Sequence, residues 1–315
     1  MITNILFIGG AGFIGSNIIR SLTGLYKDSF KIYVIEPHFA NVDSLCNLDV
    51  FLFRGTISDF DFVKSIIDNY DVDIVVHLVS TLVPGSSFED WRKEYDSLIL
   101  PSFLIMQFCA KNNIRFVYFS SGGTIYGNGK GQPFKESDPM APISYYGWSK
   151  QMIENTILFL HRTQNLNYLI IRPSNPYGPG QKLDGKQGLI AVAIGRALEN
   201  RCLDVWGDGT SVRDYIYIDD LCVAFCKLIS LSIINQTLNI GSGVGYSIFQ
   251  VTNLINSIIE EKLTVKFVPP RNADVSSMVL DTTNLKKLIE FHPISLQQGI
   301  KSFYLYCKNN TELVL

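Results

Sequence analysis

Tyr146 and Lys150 stand four residues apart in Tyr146-Gly147-Trp148-Ser149-Lys150, downstream of a hydroxyl-rich run, Ser120-Ser121-Gly122-Gly123-Thr124. If the segment from Trp148 to Arg162 is helical, residues four apart share a face, and the phenol and the amine point into one cleft. Such a pair makes a base. A free phenol has a pKa of about 10, so populating its anion at neutral pH takes roughly 4 kcal/mol of preference for the phenolate. A neighbouring ammonium is one source of that preference. A Tyr-x-x-x-Lys also describes an ordinary helix start with a solvated lysine, so the flanking chain has to decide.

Residues 4 to 8 read as an apolar strand, and Gly9-Gly10-Ala11-Gly12-Phe13-Ile14-Gly15 then opens a helix expected from Ser16 to about Leu25. Glycines spaced Gly-x-x-Gly-x-x-Gly between strand and helix let backbone approach a pyrophosphate and aim the helix N-terminus at its charge. A second apolar run, Lys31 to Ile35, ends at Glu36, which lies 36 − 15 = 21 residues past the last glycine. An acid there suits the adenosine ribose hydroxyls and repels a 2′-phosphate, which favours NAD over NADP, although Glu36 could also cap a turn. The nicotinium ring of such a cofactor would be the second cation beside Tyr146.

A third strand, Val50 to Arg54, leads into Gly55-Thr56-Ile57-Ser58-Asp59, where the adenine edge would lie. A fourth runs from Asp73 to Val79; His77, without a carboxylate nearby in sequence, reads there as a structural residue. Strand five, Phe116 to Phe119, delivers Ser120 to Thr124 to the carboxyl edge of the sheet, and strand six, Tyr168 to Arg172, runs into a proline- and glycine-rich turn from Pro173 to Gly180. β-Branched runs separated by helical stretches predict a doubly wound parallel sheet of Rossmann type, an α/β fold. The rhythm then breaks, and Gly207 to Tyr217 reads as a short irregular segment, followed by Asn239-Ile240-Gly241-Ser242-Gly243 and a helix near Ile248 to Glu260. The expected division is a dinucleotide-binding domain over 1–175 and a smaller α/β substrate lobe over 176–315, with some segments returning to the first domain.

The helix predicted from Ser97 to Lys111 is apolar on nearly every side, and Met152 to Leu160 is similar. Such helices need a partner on the outer face, either a second copy in a homodimer or a thick intramolecular layer. With 27 basic against 29 acidic residues and no basic run, the composition excludes nucleic acid and anionic membrane surfaces as partners and points to small molecules. No apolar stretch reaches the ~20 residues of a membrane span, and the start lacks the pattern of an export signal; a cytoplasmic protein is expected. Six cysteines include no Cys-x-x-Cys, and Cys222 and Cys226, four apart, suit a buried helix face better than zinc. No metal is expected.

With these segments in place, the chain resembles the extended short-chain dehydrogenase/reductase family, and within it the nucleotide-sugar epimerase/dehydratase group. The resemblance runs collinearly from about Asn4 to Asp281 and rests on Gly9/Gly12/Gly15, the Ser-Ser-Gly-Gly-Thr-Ile-Tyr-Gly run from Ser120, Tyr146/Lys150, Arg172-Pro173-x-Asn175-x-Tyr177-Gly178 and Arg213-Asp214-Tyr215. It implies that Gly9, Gly12, Phe13, Ile14, Gly15, Glu36, Thr56, Ile57, Leu78, Ser120, Tyr146 and Lys150 hold NAD. It further implies inversion at C4 of a UDP-hexose or other nucleotide-diphosphate sugar through a 4-keto intermediate, with Tyr146 as the base, Lys150 lowering its pKa and Thr124 bonded to the reacting oxygen. Ser121, Asn175, Arg213 and Arg271 would contact the substrate, Trp206 would wall the nucleobase, and Met278 would lie at the gate that sets sugar size.

The departures are as informative as the matches. The usual catalytic serine falls at Gly122, so its role passes to Thr124 or Ser121, and Thr56 and Leu98 replace an aspartate and an asparagine common in the family. Gly122-Gly123-Thr124 lacks the two carboxylates that carry protons in 4,6-dehydration. A nucleotide-sugar 4-ketoreductase uses the same Tyr146 and Lys150 and is the alternative enzyme; a dinucleotide sensor without turnover is the alternative outside catalysis.

Overall fold

Ile5-Leu6-Phe7-Ile8 offers no polar side chain to turn toward water, and the strand it forms, β1 (Thr3–Ile8), is buried on both faces there, as a strand covered by helices must be. The structure is a computed structural model and describes residues 2–129, 131–185, 187–269 and 275–310. After β1 come α1 (Phe13–Leu25), β2 (Phe30–Glu36), β3 (Phe51–Arg54), α2 (Phe60–Asn69), β4 (Ile74–His77), α3 (Phe88–Glu94), α4 (Leu100–Lys111), β5 (Arg115–Phe119), α5 (Tyr145–Gln164) and β6 (Tyr168–Pro173). The seven-stranded sheet runs in the order Gln236–Ile240, β6, β5, β4, β1, β2, β3.

β1 pairs in parallel with β2 and β4, and so do β2 with β3, β4 with β5 and β5 with β6, as expected of a doubly wound sheet. Strand order reverses between β1 and β4, the switch point at which open α/β sheets take ligands. Register brings Ile8 opposite Ile35 and His77, and His77 opposite Tyr118. The glycine turn, Glu36, Leu78 and Ser120 therefore all leave the sheet along one carboxyl edge.

Two compact units divide the chain. Met1–Ser121, Pro142–Arg172 and Phe225–Leu238 form one; Gly122–Ala141, Pro173–Ala224 and Asn239–Leu315 form the other. The division is thus not a single cut after residue 175: residues 122–141 leave the first unit early, and 225–238 return to it. In the first unit, side chains of β1, β4 and β5 meet α2, α4 and α5 in a continuous core.

The chain continues through β7 (Asn175–Tyr177), α6 (Leu189–Leu198), β8 (Leu203–Trp206), β9 (Val212–Tyr217), α7 (Ile218–Ser230), β10 (Gln236–Ile240, the outer strand already placed), β11 (Gly245–Ser247), α8 (Ile248–Ile258), β12 (Val265–Val268) and β13 (Ser277–Met278). β9 corrects the expectation of an irregular segment: it pairs with β7, β11 and β13 and is the middle of the second sheet. Its opening Arg213-Asp214 hides a strand whose remaining side chains, Tyr215 to Tyr217, are buried.

The helix expected from Ser97 also differs. Helical backbone starts at Phe88 behind a Ser87/Asp90 capping box, passes through a π-helical turn at Tyr95–Ile99 and continues as α4. Ser97 donates its hydroxyl to Lys93 O at 2.8 Å and is inside a helical run, not at its start.

One buried ion pair ties α5 to β6. Arg172 donates Nε to Glu154 Oε1 at 3.0 Å and Nη2 to Glu154 Oε2 at 2.6 Å, with both side chains almost wholly buried. Breaking one side of such a pair costs far more than the pair contributes. Glu154→Ala is expected to lower stability by about 3–5 kcal/mol, read from the urea midpoint; a loss under about 1 kcal/mol would show that Arg172 finds another partner.

Candidate active site

The glycine turn separates two uses of glycine. Gly9 has φ +86° and an added Cβ would lie 2.6 Å from Val79 Cγ2; at Gly10 it would meet Val34 Cγ1 at 2.8 Å and Ile19 Cδ1 at 2.9 Å, and at Gly15 it would meet Gly10 O at 2.6 Å. Packing explains all three. At Gly12 a Cβ would meet nothing nearer than Gly9 O at 3.8 Å, and Gly12 caps α1 with no side-chain hydrogen bond. The protein leaves this spot open, with the free N–H groups of a helix N-terminus behind it, and that combination fits a pyrophosphate.

Glu36, buried at the end of β2, accepts the Ala11 N–H on Oε1 at 2.6 Å. Burial raises its carboxyl pKa, against the Ala11 amide and the Arg54 charge. Phe13, Ile14 and Leu78 are half-buried, Ile57 is buried, and Thr56 shares a 2.7 Å hydrogen bond with Ser58. The hydroxyls of Ser80, just past β4, and Ser120, just past β5, are buried without a hydrogen-bond partner. Orphaned hydroxyls at the ligand edge of the sheet are what a bound cofactor would satisfy.

α5 begins at Ser144, whose hydroxyl accepts the Gly147 N–H at 3.1 Å, so the first turn aims Tyr146 and Lys150 to one side. Lys150 is 4% exposed; its Nζ donates to Phe119 O at 3.0 Å and lies 5.1 Å from the Tyr118 ring and 5.6 Å from the Tyr146 ring. Burial lowers its pKa to about 8, opposed by the charges of Glu94 and Glu154. The Tyr146 phenol is raised by burial; a hydrogen bond from Ser121 pulls it back, and Glu94 pushes it up.

In the protein alone, burial is the largest influence on the phenol and holds it above its ordinary pKa. One Lys150 N–H is donated to the Phe119 carbonyl. Of the two hydroxyls left open to replace the missing serine, Ser121 is the one bonded to Tyr146; Thr124 is buried and belongs to the second unit. Gly122 has lost its side chain for a packing reason: a Cβ there would lie 2.6 Å from Leu280 Cδ1 and 3.0 Å from Pro173 O.

His77 stays structural. Ser102 gives its hydroxyl proton to Leu98 O at 2.6 Å and so accepts from His77 Nε2 at 2.9 Å, and burial drives the imidazole pKa down to about 3.

In the second unit, Asn175 Nδ2 donates to Asp214 O at 2.8 Å and Arg213 Nη1 to Val212 O at 2.9 Å. Asp214, part of the Arg213-Asp214-Tyr215 motif, is fully buried and accepts Ser242 N–H at 2.8 Å, Ser242 Oγ at 2.7 Å and Gly243 N–H at 3.1 Å. Trp206 ends β8 and is 42% exposed. Met278, at 0% exposure, packs among Ile125, Tyr126, Val275 and Leu280. Arg271 lies outside the described residues. Sequence reasoning also passed over Gly10, Ser80, Glu94 and the Glu154–Arg172 pair; only Gly10 carried a local signal, by adjacency to the motif.

A glycine turn open to a diphosphate, an acid at the end of β2 and a tyrosine–lysine pair at the same sheet edge define a dinucleotide-dependent enzyme of the short-chain dehydrogenase type. Residues 5–241 match the NAD dependent epimerase/dehydratase family, and the chain belongs to that family; its cofactor is NAD. A Methanocaldococcus jannaschii protein provisionally named a UDP-glucose 4-epimerase is 31% identical over 97% of this chain and 99% of its own. The dTDP-4-dehydro-6-deoxyglucose reductase of Escherichia coli is 28% identical over 94% of this chain and 95% of its own. The crystal structure of a Thermotoga maritima UDP-glucose 4-epimerase with UDP-glucose superposes with a TM-score of 0.89 at 30% identity, covering 98% of this chain and 100% of that one.

The two classes of glycine make a test. Gly12→Ala should leave stability within about 0.5 kcal/mol of wild type while weakening NAD binding at least tenfold by calorimetry. Gly15→Ala should instead lower the melting temperature, and equal behaviour of the two variants would contradict the assignment.

Proposed function

We propose that the protein inverts C4 of a nucleotide-diphosphate sugar, with UDP-glucose and UDP-galactose as the favoured pair, through a transient 4-keto sugar. The observation that carries this is the placement of Tyr146, bonded to Ser121 and set beside the Lys150 ammonium on the sheet edge that also bears the Gly12 opening. Tyr146 takes the proton from the C4 hydroxyl and later returns it. Ser121 steadies the phenolate, and Lys150 supplies a fixed positive charge and an N–H for a ribose hydroxyl. Bound NAD supplies a reversible hydride acceptor and a cationic ring, the second contribution that brings the phenol down into a working range. Phe13, Ile14, Thr56, Ile57 and Leu78 flank the cofactor, with Glu36 toward its adenosine ribose.

Asn175, Arg213 and Arg271 hold the diphosphate and Trp206 stacks on the base; Arg suits a dianion because its donors form a planar fork. Thr124 contacts the sugar. A 4-ketoreductase is the second reading, favoured by the E. coli reductase among the relatives. The two differ in hydride balance: an epimerase recycles it, and a reductase consumes a reduced cofactor with each turnover.

No helix among the described residues is long and apolar enough to cross a membrane, and we place the protein in the cytoplasm. Leu100 and Leu104 on α4 and Phe159 on α5 are 44%, 43% and 52% exposed, an apolar face that a second copy would cover in a homodimer. Leu104→Glu combined with Phe159→Glu is expected to yield a monomer by sedimentation; a wild-type monomer would remove the dimer.

Incubation with UDP-, GDP-, CDP- and dTDP-hexoses, without added reductant, should give isomer formation from a UDP-hexose. A requirement for stoichiometric reduced cofactor would transfer the assignment to the reductase. Tyr146→Phe should lower turnover by on the order of 10³-fold or more with NAD still bound; undiminished turnover in that variant would falsify the mechanism.

A further inference from the structure

Glu94, the last residue of α3, is 2% exposed, and the proposed reaction gives it no role. Its Oε2 collects three donors from the segment after β4: Thr81 N–H at 2.6 Å, Thr81 Oγ1 at 2.5 Å and Leu82 N–H at 3.0 Å. Those bonds compensate the burial of a carboxylate. A neutral amide oxygen could pin the same segment, so what the carboxylate adds is charge.

α3 itself packs on the first turn of α5. Trp91, three residues before Glu94, stacks on Trp148 with ring centroids 4.5 Å apart and planes 12° from parallel, and Trp148 lies between Tyr146 and Lys150 in sequence. Phe88 and Tyr145 extend the contact at 5.9 Å. The chain then leaves Glu94 directly into the π-helical turn Tyr95–Ile99, a wider winding that recurs at functional sites.

Resting on the function proposed above, we infer that Glu94 is a positioning residue for the Tyr146/Lys150 pair, tying the segment after β4 to α3 and supplying the negative charge that balances the buried ammonium. Among the other groups around the pair, Glu154 alone also acts on the ammonium, and it is shared with a second cation. Glu154, one turn further along α5, is already engaged by Arg172; His77 on β4 is neutral; Tyr118 on β5 is held neutral by burial; Phe119 offers a carbonyl and Ser121 a hydroxyl. Glu94 raises the pKa of both Lys150 and Tyr146, against the effect of burial for the amine and along with it for the phenol. Removing its charge lowers both. The acid limb of the rate profile, where Tyr146 loses its proton, and the alkaline limb, where Lys150 loses its own, then move together to lower pH.

Glu94→Gln keeps the length and an acceptor oxygen without the charge; Glu94→Ala removes both. In the full chain with NAD bound, Glu94→Gln should displace both limbs toward lower pH while amide exchange at Thr81 and Leu82 stays slow. Glu94→Ala should in addition speed exchange at those two amides about tenfold, the loss of roughly one hydrogen bond each. A Glu94→Gln profile that superimposes on wild type overturns the inference, as does unchanged exchange in Glu94→Ala. If Glu94→Ala does not fold, the profile of Glu94→Gln alone decides. A wild-type protein inert toward every sugar would remove the proposed function but not this inference, which the pH dependence of Lys150 labelling, lowered in Glu94→Gln, would still decide.

Discussion

A lysine ammonium buried at 4% exposure has to be held by something, and the arrangement around Lys150 governs much of the first unit. The Phe119 carbonyl that accepts its hydrogen bond is the last of β5, so the amine is fixed to the sheet edge and not merely to its own helix. Two carboxylates act on it, one from α3 and one from α5, and each is itself anchored, Glu94 to the segment after β4 and Glu154 to β6. Strand, helix and loop are thereby coupled through one cation. The cost of leaving such a charge without partners is several kcal/mol, enough to select this packing over its neighbours.

The glycine turn follows from the same geometry. Parallel strands in register deliver their loops to one edge, and β1 reaches it with a turn so crowded that Gly9, Gly10 and Gly15 have no room for a side chain. Gly12 alone faces open space. The helix behind it starts without a side-chain cap, as does α6 at Gly188, whereas α2, α3, α5 and α8 are capped by Asp59, Ser87, Ser144 and Ser247. What sets α1 apart is the open space at Gly12 in front of its first turn.

Much of this could be read from sequence because it is written in local pattern. Continuous β-branched runs gave six parallel strands, and the spacing of glycines and of Tyr146 and Lys150 gave the sheet edge and its ligand. What could not be read is carried by contacts between distant segments. Arg213-Asp214 opens β9, whose strand character depends on β7, β11 and β13 gathering around it; the two charges mask the apolar residues that follow. Glu94 sits among charged residues in Arg92-Lys93-Glu94 and looks solvated until α3 is packed on α5. The complete burial of Met278 is likewise set by its neighbours in space, and spacing along the chain says nothing about which way a side chain turns.

The 2.6 Å bond from Ala11 to Glu36 gives the acid at the end of β2 a second occupation. On the proposed assignment of Glu36 to the adenosine ribose, the same acid also braces the glycine turn, so coenzyme preference and loop stiffness would be inherited together. A lineage drifting toward a phosphorylated ribose could not discard this acid alone; it would have to find a new donor-acceptor arrangement for the turn at the same time. Intermediates along that path would bind both coenzymes poorly, which is a physical reason for such a preference to persist after its original advantage has gone.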